Sequence, residues 1–419
     1  MKTFSRLIGV LLILFCSLSQ EVQAAEYQSD ITIALNGQIL QTDVPPVIQN
    51  SRTLVPLRTV AEALKLEVNW NAQTQEIELE GNGVTIKMRI GSNAASKNGS
   101  SISLEVPPVI FSNRTMVPVR FISEAMGCHV AWDAAARRVN ISSLPVHMEV
   151  VGYYALGDAA TSSWTDLFSA RYPQSTSGNT NLVNELALGW YSMDEEGQLL
   201  TQSDSGWQRP DSWSDVLTTA ASYKLKTQMC VQMTDDNARI RKMMNNNEAR
   251  NLAIKNLVAE AAHFDGVNLD FEGLGWNDTP AELSKVRSDY TEFVNDLAVQ
   301  LHSSGKNLTL TLHALNSAYP GYDYAALGSL ADHIIIMAYD YGPKPEPTDM
   351  VEQAVKLATA DAPAGKLLLG IAVANESASS IASKLAIAED YNLGGIALWR
   401  LGLVADDEWK VLEDNIVRK

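Results

Sequence analysis

Cysteine is almost missing from this chain of 419 residues: there are three, Cys16, Cys128 and Cys230. Two or three thiols in a chain of this length exclude a disulfide scaffold, and those of the mature protein are expected to be buried and free. Histidine is nearly as sparse, at six, and no His/His or Cys-x-x-Cys spacing marks a transition-metal site. No metal and no other cofactor is therefore expected. Basic charge is short as well: 32 Lys and Arg stand against 49 Asp and Glu, for a net charge of −17 and a pI near 4.8. Phosphate binding needs clustered Lys and Arg, so nucleic acid is excluded as a partner, and anionic lipid or anionic wall polymer is disfavoured. A neutral polymer or a small molecule remains. Low-complexity tracts are absent too, and after the first two dozen residues no apolar run is long enough to span a membrane. What is there is an ordinary globular composition, 46% apolar and 19% charged, at a length that suggests two or three domains.

Residues 1–24 read as a targeting signal. Lys2 and Arg6 form a basic start, Leu7 to Leu18 an apolar stretch too short to cross a bilayer, and Val22-Gln23-Ala24 supplies small residues for cleavage after Ala24. Lipidation at Cys16 is the competing reading, but Ile13-Leu14-Phe15 lacks the small residues it requires. An exported protein, soluble or associated with a wall, is expected.

Residues 29–143 repeat themselves. Val44-Pro45-Pro46-Val47-Ile48 returns as Val106-Pro107-Pro108-Val109-Ile110, Arg52 to Arg58 returns as Arg114 to Arg120, and Trp70 returns as Trp132, each pair 62 positions apart. A constant offset over this span marks a duplication. Each copy carries short alternating strands and one helix, and a unit of about 60 residues is marginal alone, so the two copies are expected to pack as one module. The Val-Pro-x-Arg and Val-x-Trp-(Asn/Asp) elements resemble the copper amine oxidase-like N-terminal, or stalk, domain of exported bacterial proteins. That resemblance implies a spacer or a contact with the bacterial cell wall. It implies no copper, since His129 is the one histidine in the stretch.

After Pro145 the pattern changes. Eight apolar strands are predicted, Val150–Leu156, Leu186–Trp190, Lys226–Met233, Gly266–Phe271, Leu308–Leu315, His333–Tyr339, Leu367–Val373 and Gly395–Trp399, with amphipathic helices between them. Buried strands alternating with helices signal parallel βαβ units, and eight of them in residues 147–419 fit a (β/α)8 barrel, an α/β fold. A doubly wound sheet is the alternative, but no Gly-rich phosphate turn follows the first strand. The expected architecture is thus a TIM barrel preceded by a small duplicated α+β stalk domain.

Within the fourth strand, Asn268, Asp270 and Glu272 share one face and Val267, Leu269 and Phe271 the other. Carboxylates in a buried strand are costly unless they act, and in a (β/α)8 barrel the active site lies at the C-terminal strand ends. Asp265-Gly266-x-Asn268-x-Asp270-x-Glu272 resembles the Asp-Gly-x-Asp-x-Asp-x-Glu signature of glycoside hydrolase family 18, the chitinase-like barrels. Met337-x-Tyr339-Asp340 is similar to the second motif of that family, and Trp399 to the tryptophan under its sugar subsite. The resemblance implies retaining, substrate-assisted hydrolysis of an N-acetylglucosamine-containing polysaccharide. Glu272 would be the acid/base, Asp270 would orient the acetamido group and Tyr339 would bond its oxygen. Asn268, Asp340, Met337, Trp399 and Tyr154 would contact substrate, and Asp265 would support them from behind.

Several departures shape the expectation. Asn268 replaces an Asp, which implies a slower enzyme or an altered pH profile. The third strand lacks a Ser-x-Gly-Gly element, and about twenty residues between the last two strands leave no room for an inserted domain. A shallow groove follows. With Trp399-Arg400-Leu401-Gly402, these departures look most like the spore-germination and cortex-lytic branch, whose members act as N-acetylglucosaminidases on peptidoglycan. A chitinase or endo-β-N-acetylglucosaminidase on other glycans, and a catalytically silent lectin, are the alternatives; retention of Glu272 weighs against the lectin. His313 shares the inner parity of the fifth strand and reads equally as a substrate contact or a satisfied barrel histidine. Trp164, Trp190, Trp207, Trp213 and Trp276 include candidate sugar-stacking platforms.

Overall fold

The computed structural model describes residues 30–155, 160–202, 206 and 208–419, so the segment 1–24 and Trp207 lie outside the described residues. The Cα packing separates two compact units, one with residues 40–126 and 132–139, the other with residues 33–39, 127–131 and 140–419.

The second unit is built on eight parallel strands: β1 (Val146–Tyr154), β2 (Glu185–Met193), β3 (Lys226–Thr234), β4 (Gly266–Glu272), β5 (Asn307–His313), β6 (His333–Met337), β7 (Leu367–Ala372) and β8 (Gly395–Trp399). Each pairs with the next, and β8 pairs back onto β1, with Val150 opposite Ile396, so the sheet closes. This is the barrel expected, with every strand near its predicted position. Burial on both faces explains the unbroken apolar runs such as Leu367–Ala372.

Side-chain parity decides which residues reach the lumen. Val151, Tyr153, Ala187, Cys230, Ile335, Leu368 and Ala397 form one buried cluster inside the barrel. Their sequence neighbours, Val150, Leu186, Met229, Val231, Ile334 and Ile396 among them, join the larger core under the helices. Asn268, Asp270 and Glu272 hold the lumen parity of β4, while Phe271 stacks on Phe293 of the helix Pro280–Ser303 with centroids 5.9 Å apart. That helix begins with a Thr279/Glu282 capping box and Pro280 in its first turn, and buries Val286, Tyr290, Phe293, Val294, Leu297 and Leu301 at helical spacing. Truncating Phe271 to Ala would cost roughly 3–5 kcal/mol by the usual cavity accounting, so the outer face of β4 is what locks the register of its inner face.

In the duplicated stretch the copies are interleaved. One four-stranded sheet joins 109–111 and 114–118 of the second copy to 52–56 and 47–49 of the first, with Val55 opposite Val117 at its centre. These two residues are themselves 62 apart, so the pairing is self-equivalent. The buried cluster Val44, Leu54, Val106 and Met116 obeys the same offset. A five-stranded sheet continues 67–71, 76–81 and 84–89 of the first copy into 94–97 and 100–103 of the second, and a four-stranded sheet joins 129–133 and 138–142 to 32–35 and 38–39. Neither copy completes a sheet by itself. Cys128 and Cys230 are both free and buried.

Candidate active site

The C-terminal ends of β3 to β6 and β8 bring most of the candidate residues together. Asn268 and Asp270 are buried at 0% and 4% exposure, whereas the Glu272 side chain, one step nearer the mouth, is 31% exposed. The Thr311 hydroxyl donates to Asn268 Oδ1 at 2.7 Å and lies 2.5 Å from the Tyr153 hydroxyl, which fixes the Asn268 amide. Two buried atoms, Asn268 Nδ2 and Asp270 Oδ1, have no hydrogen-bond partner. In a packed lumen such orphans are costly, on the order of 1–3 kcal/mol each, which fits groups held ready for a ligand.

Electrostatics favour the neutral acids here. Burial raises the Asp270 carboxyl well above its ordinary range, and the neighbouring Glu272 raises it further. Glu272 is also raised, chiefly by burial, with Asp340 adding to the effect and a hydrogen bond from Gln232 opposing it. Two carboxyls two residues apart on one face cannot both ionise cheaply, so one proton is retained between them. His313 Nε2 lies 3.6 Å from Glu272 Oε2, and burial pushes this imidazole down to about 4, so it is neutral over most of the physiological range. Tyr339 is raised well above an ordinary phenol by burial and then by Asp270 and Glu272, so it is an O–H donor beside the two acids. A donor acid, an acceptor carboxyl and a phenol in one mouth can move a proton and hold a polar substituent at the same time.

Loops hold this arrangement from outside. The Asp235 N–H donates to the Glu272 carbonyl at 2.9 Å, and Arg241 bridges Asp235 and Asp278 at 2.7 and 2.8 Å, tying the β3 and β4 loops together. Gly275 sits at φ +90°, and a Cβ there would meet the Gly321 nitrogen at 2.6 Å, so the β4 loop can pass only as glycine. Asp340 is exposed and left-handed at φ 65°. The backbone N–H groups of Asp340 and Tyr341 both donate to the buried Glu346 carboxylate at 3.1 Å. Lys384, which is paired with Glu376 at 2.7 Å, donates in turn to the Glu346 carbonyl. Met337 faces the lumen opposite His313 in register. Trp399 meets Tyr153 edge-on at 5.2 Å, and its peptide to Arg400 is cis.

Two candidate residues lie elsewhere. Tyr154 has the outer parity: it is buried in the core under the helices, edge-on to Trp190 at 6.2 Å, and Tyr153 takes the lumen place beside Trp399. Asp265 does not back the carboxyls. It lies at the opposite rim, exposed, where its carboxylate accepts from the Thr227 N–H at 2.8 Å and latches β4 to β3. Of the tryptophans, Trp164 donates to the Gln174 carbonyl at 2.8 Å and Trp190 is sealed. Trp213 lies under the Arg209 guanidinium at 4.9 Å. Trp276 is different: it is 54% exposed and packs on Tyr319, which stacks on His313 at 4.2 Å, so an aromatic ridge leads to Glu272. Sequence reading missed Gln232, Tyr153 and Glu346. For Tyr153 a signal existed: Glu149, a charge in an apolar strand, sets the lumen phase two and four residues on.

Residues 149–378 match the model of glycosyl hydrolases family 18, and residues 34–141 that of the copper amine oxidase N-terminal domain. Among curated proteins the chain is similar to a candidate sporulation-specific glycosylase of Bacillus subtilis, YdhD, 24% identical over 40% of this chain and 39% of that protein. It is also similar to the cortical fragment-lytic enzyme of the same organism, 22% identical over 42% of this chain and 56% of that protein. The matches thus span about half or less of these relatives. Among solved structures it superposes on the spore cortex-lytic enzyme SleL of Bacillus megaterium QM B1551 with a TM-score of 0.54, at 18% identity, covering 72% of this chain and 82% of the other. At that identity the likeness speaks for the fold. No helix among the described residues is long and apolar enough to cross a membrane.

Proposed function

The chain belongs to glycosyl hydrolases family 18, and from that premise we propose that it hydrolyses β-linked N-acetylglucosamine bonds in peptidoglycan or a related glycan, with retention and with the substrate's acetamido group as nucleophile. The observation that carries this reading is the Asp270–Glu272 pair, two lumen carboxyls both pushed toward their protonated forms. Glu272, the more exposed, donates its proton to the glycosidic oxygen as the acetamido oxygen attacks the anomeric carbon and the bond to the leaving sugar breaks. Glu272 then takes a proton from the water that opens the cyclic oxazolinium intermediate. Asp270 Oδ1, buried without a partner, accepts from the acetamido N–H, and the Tyr339 hydroxyl donates to the acetamido oxygen. Asn268 holds the strand of acids in line, and Trp399, Met337 and Asp340 border the reacting sugar. The Trp276–Tyr319 ridge offers a stacking surface for a further sugar.

Peptidoglycan is favoured by the cortex-lytic relatives and by the short β7–β8 connection, which holds only a helical turn at Val373–Asn375 and the helix Ala378–Asp390 and leaves the groove shallow enough for peptide-bearing glycans. We place the mature protein outside the cell, at a wall or spore surface, with the duplicated module as spacer or wall contact. The test is to incubate the protein and Glu272→Gln with peptidoglycan, chitin oligomers and a glycoprotein, and to identify new reducing ends by mass spectrometry. The wild type should release muropeptide fragments, and the variant should be slower by roughly 10²–10⁴-fold. Product from chitin or glycoprotein alone would move the reading to those glycans, and glycan binding without any product would make the protein a lectin.

A further inference from the structure

The lumen has a second polar layer, at the end away from the groove. Glu149 in β1, Glu185 at the start of β2 and His333 at the start of β6 offer ligand atoms, two carboxylate oxygens and an imidazole nitrogen, that all lie within 4.8 Å of one another. His333 Nε2 is 3.4 Å from Glu149 Oε2. The cluster alone would be an ordinary buried ion pair with a neighbouring acid. A second observation points to a ligand: Glu185 is only 1% exposed, and its Oε1 has no hydrogen-bond partner. Gln228, in the same layer, donates one amide N–H to the Thr309 hydroxyl at 2.7 Å and also hydrogen-bonds the Glu185 carboxyl, while its own carbonyl oxygen is sealed without a partner. A floor that presents an unpaired carboxylate oxygen, an unpaired amide oxygen, a second carboxylate and an imidazole is a set of acceptors without enough donors.

The geometry points to a divalent transition-metal site at the barrel floor, with Glu149, Glu185 and His333 as its protein ligands. An imidazole with two carboxylates suits zinc and its first-row neighbours; two of the ligands come from the paired strands β1 and β2 and the third from β6, which pairs with neither. The ligating forms are a neutral imidazole and ionised carboxylates, so metal uptake should release protons. Lys226 and Lys419 are the nearby cations acting on His333, and Glu149 and Asp332 offset them. Glu149 and His333 keep side-chain exposures of 16% and 19%, so an ion can enter from the floor without the barrel opening. The site lies apart from Asp270 and Glu272, and its existence does not depend on the proposed hydrolysis.

The experiment uses the full chain, stripped with a chelator and titrated with zinc by calorimetry at neutral pH. One zinc per chain is expected, with the affinity reduced at least tenfold in Glu185→Gln and in His333→Gln, each first checked for native circular dichroism. Should those buried substitutions unfold the chain, cobalt titration of the wild type decides alone: a visible absorption band that appears at one equivalent and is displaced by equimolar zinc supports the site. No stoichiometric uptake by the wild type, no cobalt band, or undiminished uptake in folded variants overturns it. In that case Glu185 is simply a buried acid that accepts from Gln228.

Discussion

The two ends of the barrel lumen carry the same three functional groups in different surroundings. At the mouth two carboxyls, Asp270 and Glu272, stand beside His313; at the floor Glu149 and Glu185 stand beside His333. The closest imidazole–carboxylate approaches are similar, 3.6 and 3.4 Å, and in both places burial holds at least one acid toward its neutral form. What separates them is the second layer of contacts. Around the mouth, loops from β4, β6 and β8 bring a phenol, two indoles and a capped turn within reach. Around the floor the partners are strand starts with amide and hydroxyl side chains. A carboxyl–imidazole cluster therefore takes its chemical meaning from the surfaces that flank it, and the mouth is flanked by the aromatic ridge of Trp276 and Tyr319.

Substitutions at each end separate the two clusters. The largest effect is expected beneath the mouth. Lys384 and Glu376 are sealed at 2% and 0% side-chain exposure, so Lys384→Ala strands a buried carboxylate and should cost roughly 3–5 kcal/mol in urea denaturation. It should also loosen the Glu346 support of the Asp340 turn and reduce activity in step. Activity that survived such a loss would show that the turn is not held from below.

Next in size is the floor acid. Burial, with Glu149 adding, raises Glu185 to about 7 from 4.5. A raised folded pKa means that its contribution to stability is complete below 4.5 and is lost as pH rises through about 7. Without metal, the wild type should lose on the order of 3 kcal/mol more than Glu185→Gln across that window, read from denaturant midpoints at a series of pH values. The mouth acids contribute with the same sign in both proteins and drop out of the difference. Parallel curves would mean that Glu185 is not buried as an acid.

At the mouth, Asn268→Asp adds a third ionisable group beside Asp270 and should move the acid limb of the pH–rate profile upward by about one unit. An unchanged profile would uncouple position 268 from the acids. The smallest effect is at the outer floor. Asp265→Ala removes the bond to the Thr227 N–H and should cost about 1 kcal/mol with kcat unaltered; a selective fall in kcat would return Asp265 to the catalytic end.

Legibility in the sequence followed the distance over which each feature is encoded. Asn268, Asp270 and Glu272 lie within one strand, so a period of two was enough to put them on one face, whereas Met337 and Tyr339 were legible through their resemblance to the second motif of the family. The pair Tyr153 and Tyr154 needed the absolute phase of β1, and two adjacent aromatics carry no phase between them. Asp265 opens the motif in sequence but stands at the far end of the strand, about seven residues of rise from Glu272. The floor cluster comes from β1, β2 and β6, whose residues share no local spacing, so only closure of the barrel could bring them together. Glu346 was hidden for another reason: its role is to accept two backbone N–H groups, and backbone demand leaves no residue pattern.

The interleaved sheets of the duplicated module carry a consequence for how such a segment can be handled or inherited. Since the strands 94–97 and 100–103 complete a sheet begun by 67–71, 76–81 and 84–89, and 52–56 finds its partner in 114–118, a single copy is half of a reciprocal exchange. Cut free, it presents unsatisfied strand edges that another identical half matches. An isolated copy is therefore expected to associate with a second one in a concentration-dependent way, whereas in the intact chain the same pairing is intramolecular.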